Sequence, residues 1–84
     1  MSLEDDFAQA QDQVKTLPSP PNNEKLLELY SLFKQAKEGD VQGKRPGMLD
    51  IKGRAKYDAW AGRKGTSAQD AMSAYVALVA SLTG

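Results

Sequence analysis

The chain of 84 residues contains no cysteine and no histidine. Without cysteine there is no disulfide staple, thiol nucleophile, Cys-based zinc site or CxxC redox pair. Without histidine the commonest metal ligand is missing, and so is the side chain best suited to proton transfer near neutral pH. The serines therefore have no histidine base, and the lysines show no apolar setting that would lower a pKa. The acidic pairs Asp5-Asp6 and Asp50/Asp58 have no companion of the kind paired-carboxylate catalysis needs. Composition argues against an enzyme, and no metal site is expected. Charge of one sign is lacking too: eleven Lys+Arg face eleven Asp+Glu, a net charge of zero. That is not the basic excess of a nucleic-acid binder. No apolar run approaches the ~18 residues that a membrane span requires. The opening Met1-Ser2-Leu3-Glu4-Asp5-Asp6 is acidic where a secretory signal needs positive charge, so a cytoplasmic protein is expected.

What is present is a small helical chain, expected to form a single domain over 1–84. Folding at this size buries only about 60–65% of the surface of the unfolded chain. Hydrophobic spacing is helical throughout, with no convincing period of two. Phe7, Ala10, Val14 and Leu17 mark a first helix from about Leu3 to Leu17, with Ser2 and Asp5 resembling a capping box. Pro18, Pro20 and Pro21 end it. Asn23 is read as the cap of a second helix to about Glu38, and Gly39 as its stop. After a loop over 40–49, Asp50 is expected to cap a third helix reaching about Gly62. There Arg54 stands four residues from both Asp50 and Asp58 and offers to pair with them. Thr66 and Gln69 suggest a capping box for a last helix striped by Met72, Tyr75, Val76, Val79 and Leu82. Four helices on this length make an all-α bundle. Phe7, Val14, Leu17, Val76, Val79 and Leu82 are expected to join the first and last helices, with Trp60 as a core anchor.

The charges are unevenly placed. Residues 1–12 carry four acids and no cation, whereas residues 34–64 carry nine cations against four acids. Within that basic middle, Tyr30, Phe33, Lys34 and Lys37 share one helical face. Lys52 and Lys56 lie one turn apart on the next helix, with Tyr57 and Trp60 following. Ammonium groups beside aromatic faces suit a phosphorylated aromatic ligand, since the cations engage phosphate and the rings stack on a base. Lysines on helices are also commonly solvated and aromatics commonly core, so spacing alone leaves both readings open. Arg45, in the loop Arg45-Pro46-Gly47, is within reach of a phosphate or simply shapes the loop.

Residue order adds to this. The stretch Tyr30-Ser31-Leu32-Phe33-Lys34-Gln35-Ala36 is followed by Gly39-Asp40 and by Arg45-Pro46-Gly47-Met48-Leu49-Asp50-Ile51-Lys52-Gly53-Arg54-Ala55-Lys56-Tyr57-Asp58-Ala59-Trp60. Lys64-Gly65-Thr66-Ser67, Asp70-Ala71-Met72 and Ala74-Tyr75 complete the order. Together they resemble the acyl-CoA-binding protein family, from Phe7 to Leu82. The resemblance implies a four-helix up-down-down-up bundle that binds a medium- or long-chain fatty acyl-CoA ester. It would act as an intracellular carrier, buffer and pool former in lipid metabolism, with no cofactor and no chemistry of its own. It places Tyr30, Lys34 and Lys56 at the phosphorylated nucleotide end of the ligand, with Lys15 and Lys52 as further cations. Tyr75 falls near the ribose and pantetheine arm. Leu26, Leu27 and Phe33 line the acyl groove, and Ala55 faces them. Ser31 and Leu32 belong to the same binding stretch, Leu32 standing where a polar residue is common. Phe33 keeps stacking but not the hydroxyl frequent at its position. Gln11 replaces a small residue on the inner face of the first helix, where looser packing is expected.

The implied partners are long-chain acyl-CoA and, transiently, acyl-CoA-using enzymes or membranes; no nucleic acid is implied, and a monomer is expected. Two other classes fit the residues less well. A protein-interaction bundle that has lost its ligand fits poorly with Tyr30, Lys34, Lys56 and Tyr75 all being present. A membrane-surface helix over Ala68 to Leu82 fits poorly because that helix has no lysine or arginine for its polar face.

Overall fold

A computed structural model describes residues 2–83. Four helices follow one another, α1 (Leu3–Lys15), α2 (Asn23–Glu38), α3 (Ile51–Ala61) and α4 (Ala68–Thr83). The architecture is the all-α, up-down-down-up four-helix bundle that the sequence implies. Each helix begins where a short polar side chain can take up a free N–H group. Ser2 Oγ accepts from the Asp5 amide, Asn22 Oδ1 from Lys25 and Asp50 Oδ1 from Gly53. At α4 the acceptor is Ser67 Oγ, bonded to the Asp70 amide, so the cap lies one residue past Thr66. The cap of α2 is likewise Asn22 rather than Asn23. Helix α1 stops two residues short of Leu17, because Pro18 disfavours helical geometry in the residue before it. Gly39 closes α2 at φ 80°, a left-handed backbone that glycine adopts without Cβ strain.

Packing is organised around α4. It lies against both α1 and α2, and α2 in turn carries α3. Among the described residues the backbones of α1 and α2 do not pack on one another. The result is a flat molecule measuring 40 × 29 × 15 Å. Its core gathers Phe7 and Ala10 of α1, Leu29 and Leu32 of α2, and Tyr75 and Val79 of α4, with Val14, Val76 and Leu82 packed against them. Phe7 meets the Tyr75 ring edge-on at 5.1 Å and the Phe33 ring at 6.2 Å. It thus links α1 to both neighbours. The Gln11 amide turns back along α1 and donates to the Phe7 carbonyl at 3.3 Å.

Helix α3 has one buried residue, Trp60, whose indole N–H donates to the Gly39 carbonyl at 2.7 Å. The expected pairing of Arg54 does not form. Asp58 is engaged by both arms of the Arg45 guanidinium, at 2.9 and 2.7 Å, and Asp50 is turned to its helix N-terminus. The bidentate fork outcompetes a single i,i+4 contact. The Arg54 Nε is buried without a partner.

Candidate functional site

Because α1 and α2 meet only through side chains and α4, an open cavity of about 510 Å³ lies between them. The end of α1 supplies Val14 and Lys15, the linker Leu17, Pro20 and Pro21, helix α2 Leu26, Leu29, Tyr30 and Phe33, and α4 Tyr75. The size is that of a small-molecule site. Its walls are aliphatic or aromatic, with Lys15 the one ammonium on the lining. Burial pushes the Tyr75 phenol above its ordinary value, so it stays a hydrogen-bond donor throughout the neutral range.

Four of the expected positions beyond Lys15 thus converge here: Leu26, Tyr30, Phe33 and Tyr75. A fifth, Lys56, reaches them from α3, its Nζ lying 5.5 Å from the Tyr30 ring centroid. This is a cation held over an aromatic face next to an apolar chamber. Lys52 is exposed one turn earlier on α3, and Ala55 is half-buried on the same helix. Lys34 turns toward α3: its ammonium pairs with Glu38 and sits 4.7 Å from the Trp60 ring centroid.

Three expected positions lie elsewhere. Leu32 is part of the core. Ser31 is buried, its hydroxyl donating to the Glu28 carbonyl and accepting from Arg63 Nε at 3.0 Å. Both are turned inward by the helical register that brings Tyr30 and Phe33 to the cavity. Leu27 lines a second, shallower groove of about 370 Å³ with Glu24, Glu28, Ser31, Asp58, Ala59, Gly62 and Arg63. Arg45 is committed to Asp58 rather than held free for a phosphate.

Val14 packs against the core as expected and also lines the cavity, whereas Leu17 is a cavity wall; Pro20, Pro21 and Leu29 are walls that sequence reasoning does not single out. The available signal was the run Leu17-Pro18-Ser19-Pro20-Pro21, unusually apolar for a linker between two helices.

A family model described as acyl CoA binding protein matches residues 4–79. An acyl-CoA-binding protein homolog of Manduca sexta is 53% identical over 83 residues, covering 98% of this chain and 92% of its own. The acyl-CoA-binding protein homolog 1 of Caenorhabditis elegans is 51% identical over 76 residues, covering 90% and 88%. Among solved structures, Oryza sativa acyl-CoA-binding protein 2 superposes with a TM-score of 0.92 at 41% identity, over 96% of this chain and 88% of the other. The yeast acyl coenzyme A binding protein gives 0.72 at 43% identity, over 90% and 88%. Family, relatives and architecture agree along nearly the whole length, and the chain belongs to the acyl-CoA-binding protein family.

Proposed function

We propose that the protein binds medium- and long-chain fatty acyl-CoA esters and serves as their carrier and buffer, without catalysing a reaction on them. The observation that carries this is the apolar cavity between α1 and α2, bounded by Tyr30, Phe33 and Tyr75, with Lys15 on its lining and Lys56 over Tyr30. An acyl-CoA has the matching halves, a polyanionic adenine nucleotide and a hydrocarbon tail. In this assignment Lys15, Lys52 and Lys56 meet the phosphates, joined by Lys34 once it leaves Glu38. Tyr30 and Phe33 take the adenine face, Tyr75 the polar arm, and Leu26 with its apolar neighbours the tail. Ser31, Leu32, Leu27 and Ala55 act from behind by fixing the register of α2 against α3 and α4.

Two energetic terms separate cleanly. Each charge-assisted hydrogen bond to phosphate is worth roughly 1.5–3 kcal/mol when shielded, and salt erodes that at an exposed rim. Each buried methylene adds about 0.8 kcal/mol, so ten supply on the order of 8 kcal/mol gross. Ordering the flexible ligand offsets part of this. The tail therefore contributes more than any single lysine. Isothermal calorimetry with palmitoyl-CoA, CoA and palmitate tests the assignment. Palmitoyl-CoA is expected to bind far more tightly than CoA, and palmitate weakly for want of the nucleotide anchor. Equal affinities for palmitoyl-CoA and CoA would refute it.

The carrier acts in the cytoplasm as a monomer, exchanging ligand with enzymes and membranes. A site formed within one chain supports that picture. None of the described helices is long and apolar enough to cross a membrane.

A further inference from the structure

The loop leading into α3 ends in a run of large apolar side chains that nothing covers. Met48 is 79% exposed, Leu49 100% and Ile51 76%. Single exposed apolar residues are ordinary on a protein surface, but three within four positions form a patch. None of the three lines either cavity. The acid among them, Asp50, is not free to repel an anion: its carboxylate accepts the Gly53 amide at 3.0 Å and faces the positive end of the α3 dipole. Nearby, Asp58 is neutralised by Arg45. With that pair set aside, the segment 41–58 carries four cations, Lys44, Lys52, Arg54 and Lys56, against Asp50 alone. Lys52 follows Ile51 directly and Lys44 precedes Met48 by four positions, both exposed.

We propose that the Met48-Leu49-Asp50-Ile51 apex is a membrane-docking tip, inserting its apolar side chains into the interface of a bilayer whose anionic headgroups meet Lys44 and Lys52. Charge and area select this occupant. A stable protein interface needs about 800 Å² on each partner, more than three side chains at an apex supply. A lipid interface accepts a small apolar wedge, and binding grows with buried apolar area and with attraction to anionic lipid. The tip is a place where the protein would exchange lipid-derived ligand with a membrane, yet docking itself requires no ligand, so this proposal stands apart from the acyl-CoA assignment.

The test is flotation of the ligand-free, full-length chain with vesicles of phosphatidylcholine containing phosphatidylserine, and with vesicles of phosphatidylcholine alone. The protein is expected to float with the anionic vesicles and to be released by salt. Leu49→Asp is expected to lower the bound fraction about fivefold or more, and Lys44→Glu to lower it only on anionic vesicles. Both variants should keep the circular dichroism melt and the lipid-free palmitoyl-CoA affinity of the parent. Four outcomes would overturn the proposal: no flotation at low salt, equal flotation of Leu49→Asp, a loss of palmitoyl-CoA affinity in Leu49→Asp that assigns the tip to the ligand groove, or a concentration-dependent dimer in sedimentation that Leu49→Asp abolishes.

Discussion

Lys34 meets a carboxylate and an aromatic face before it meets any ligand: its ammonium pairs with Glu38 one turn on and lies 4.7 Å from the Trp60 ring centroid. Any phosphate that recruits Lys34 must displace Glu38. An exposed i,i+4 pair is worth less than about 1 kcal/mol, so Glu38→Gln should raise the affinity for CoA about two- to fivefold in calorimetry. The gain should vanish in a Lys34→Ala background. Lys56 and Leu26 should separate the two halves of the ligand. Lys56→Ala is expected to weaken CoA and palmitoyl-CoA by the same factor, because both share the nucleotide. Leu26→Ala should weaken palmitoyl-CoA up to about tenfold and leave CoA alone, as befits a partly exposed aliphatic wall.

At the scale of elements, the end of α2 is fastened to the turn before α4 through a side chain that periodicity does not single out. Gln35 is 1% exposed, and its amide donates to Asp40 Oδ1 at 2.9 Å and to the Thr66 carbonyl at 2.8 Å. The same Asp40 oxygen accepts from the Gly65 amide. The Gly65 N–H foremost, and then Gln35, hold the Asp40 carboxyl below its ordinary range, as the bonds from Arg45 do for Asp58. A depressed carboxylate pKa contributes stability that is complete above the unfolded value near ~4 and disappears as pH falls through the lower folded value. Melting temperature should therefore drop on acidification below about pH 4. Asp40→Asn, which keeps an acceptor but cannot titrate, should show a shallower drop in the same scan.

For the molecule as a whole, α4 is the floor on which α1 and α2 stand apart, and the cavity exists because of that separation. Phe7 holds α1 in place against Tyr75 and Phe33. Phe7→Ala removes a buried ring from a thin core and should cost about 3–5 kcal/mol in urea unfolding. That is a large share of the ~5–15 kcal/mol available to a domain. Saturating palmitoyl-CoA should restore part of it, since a ligand bound by the native state alone stabilises that state by mass action.

Local chemistry was enough to determine the number and order of the helices, the caps at Ser2 and Asp50, the stops at Pro18 and Gly39, and the aromatic and cationic character of the α2 face. Each depends on residues within one or two turns. The long ordered match to a family added the ligand class. Which helices touch was decided only in three dimensions, and with it whether a periodic apolar residue is core or cavity wall. Leu17 keeps helical spacing in the sequence yet lies beyond the end of α1 and lines the cavity, whereas Val14 both packs on the core and lines it. Competition among polar partners was equally hidden, because Arg45 lies thirteen residues from Asp58 and still displaces Arg54, four away, through the better geometry of a two-armed bond.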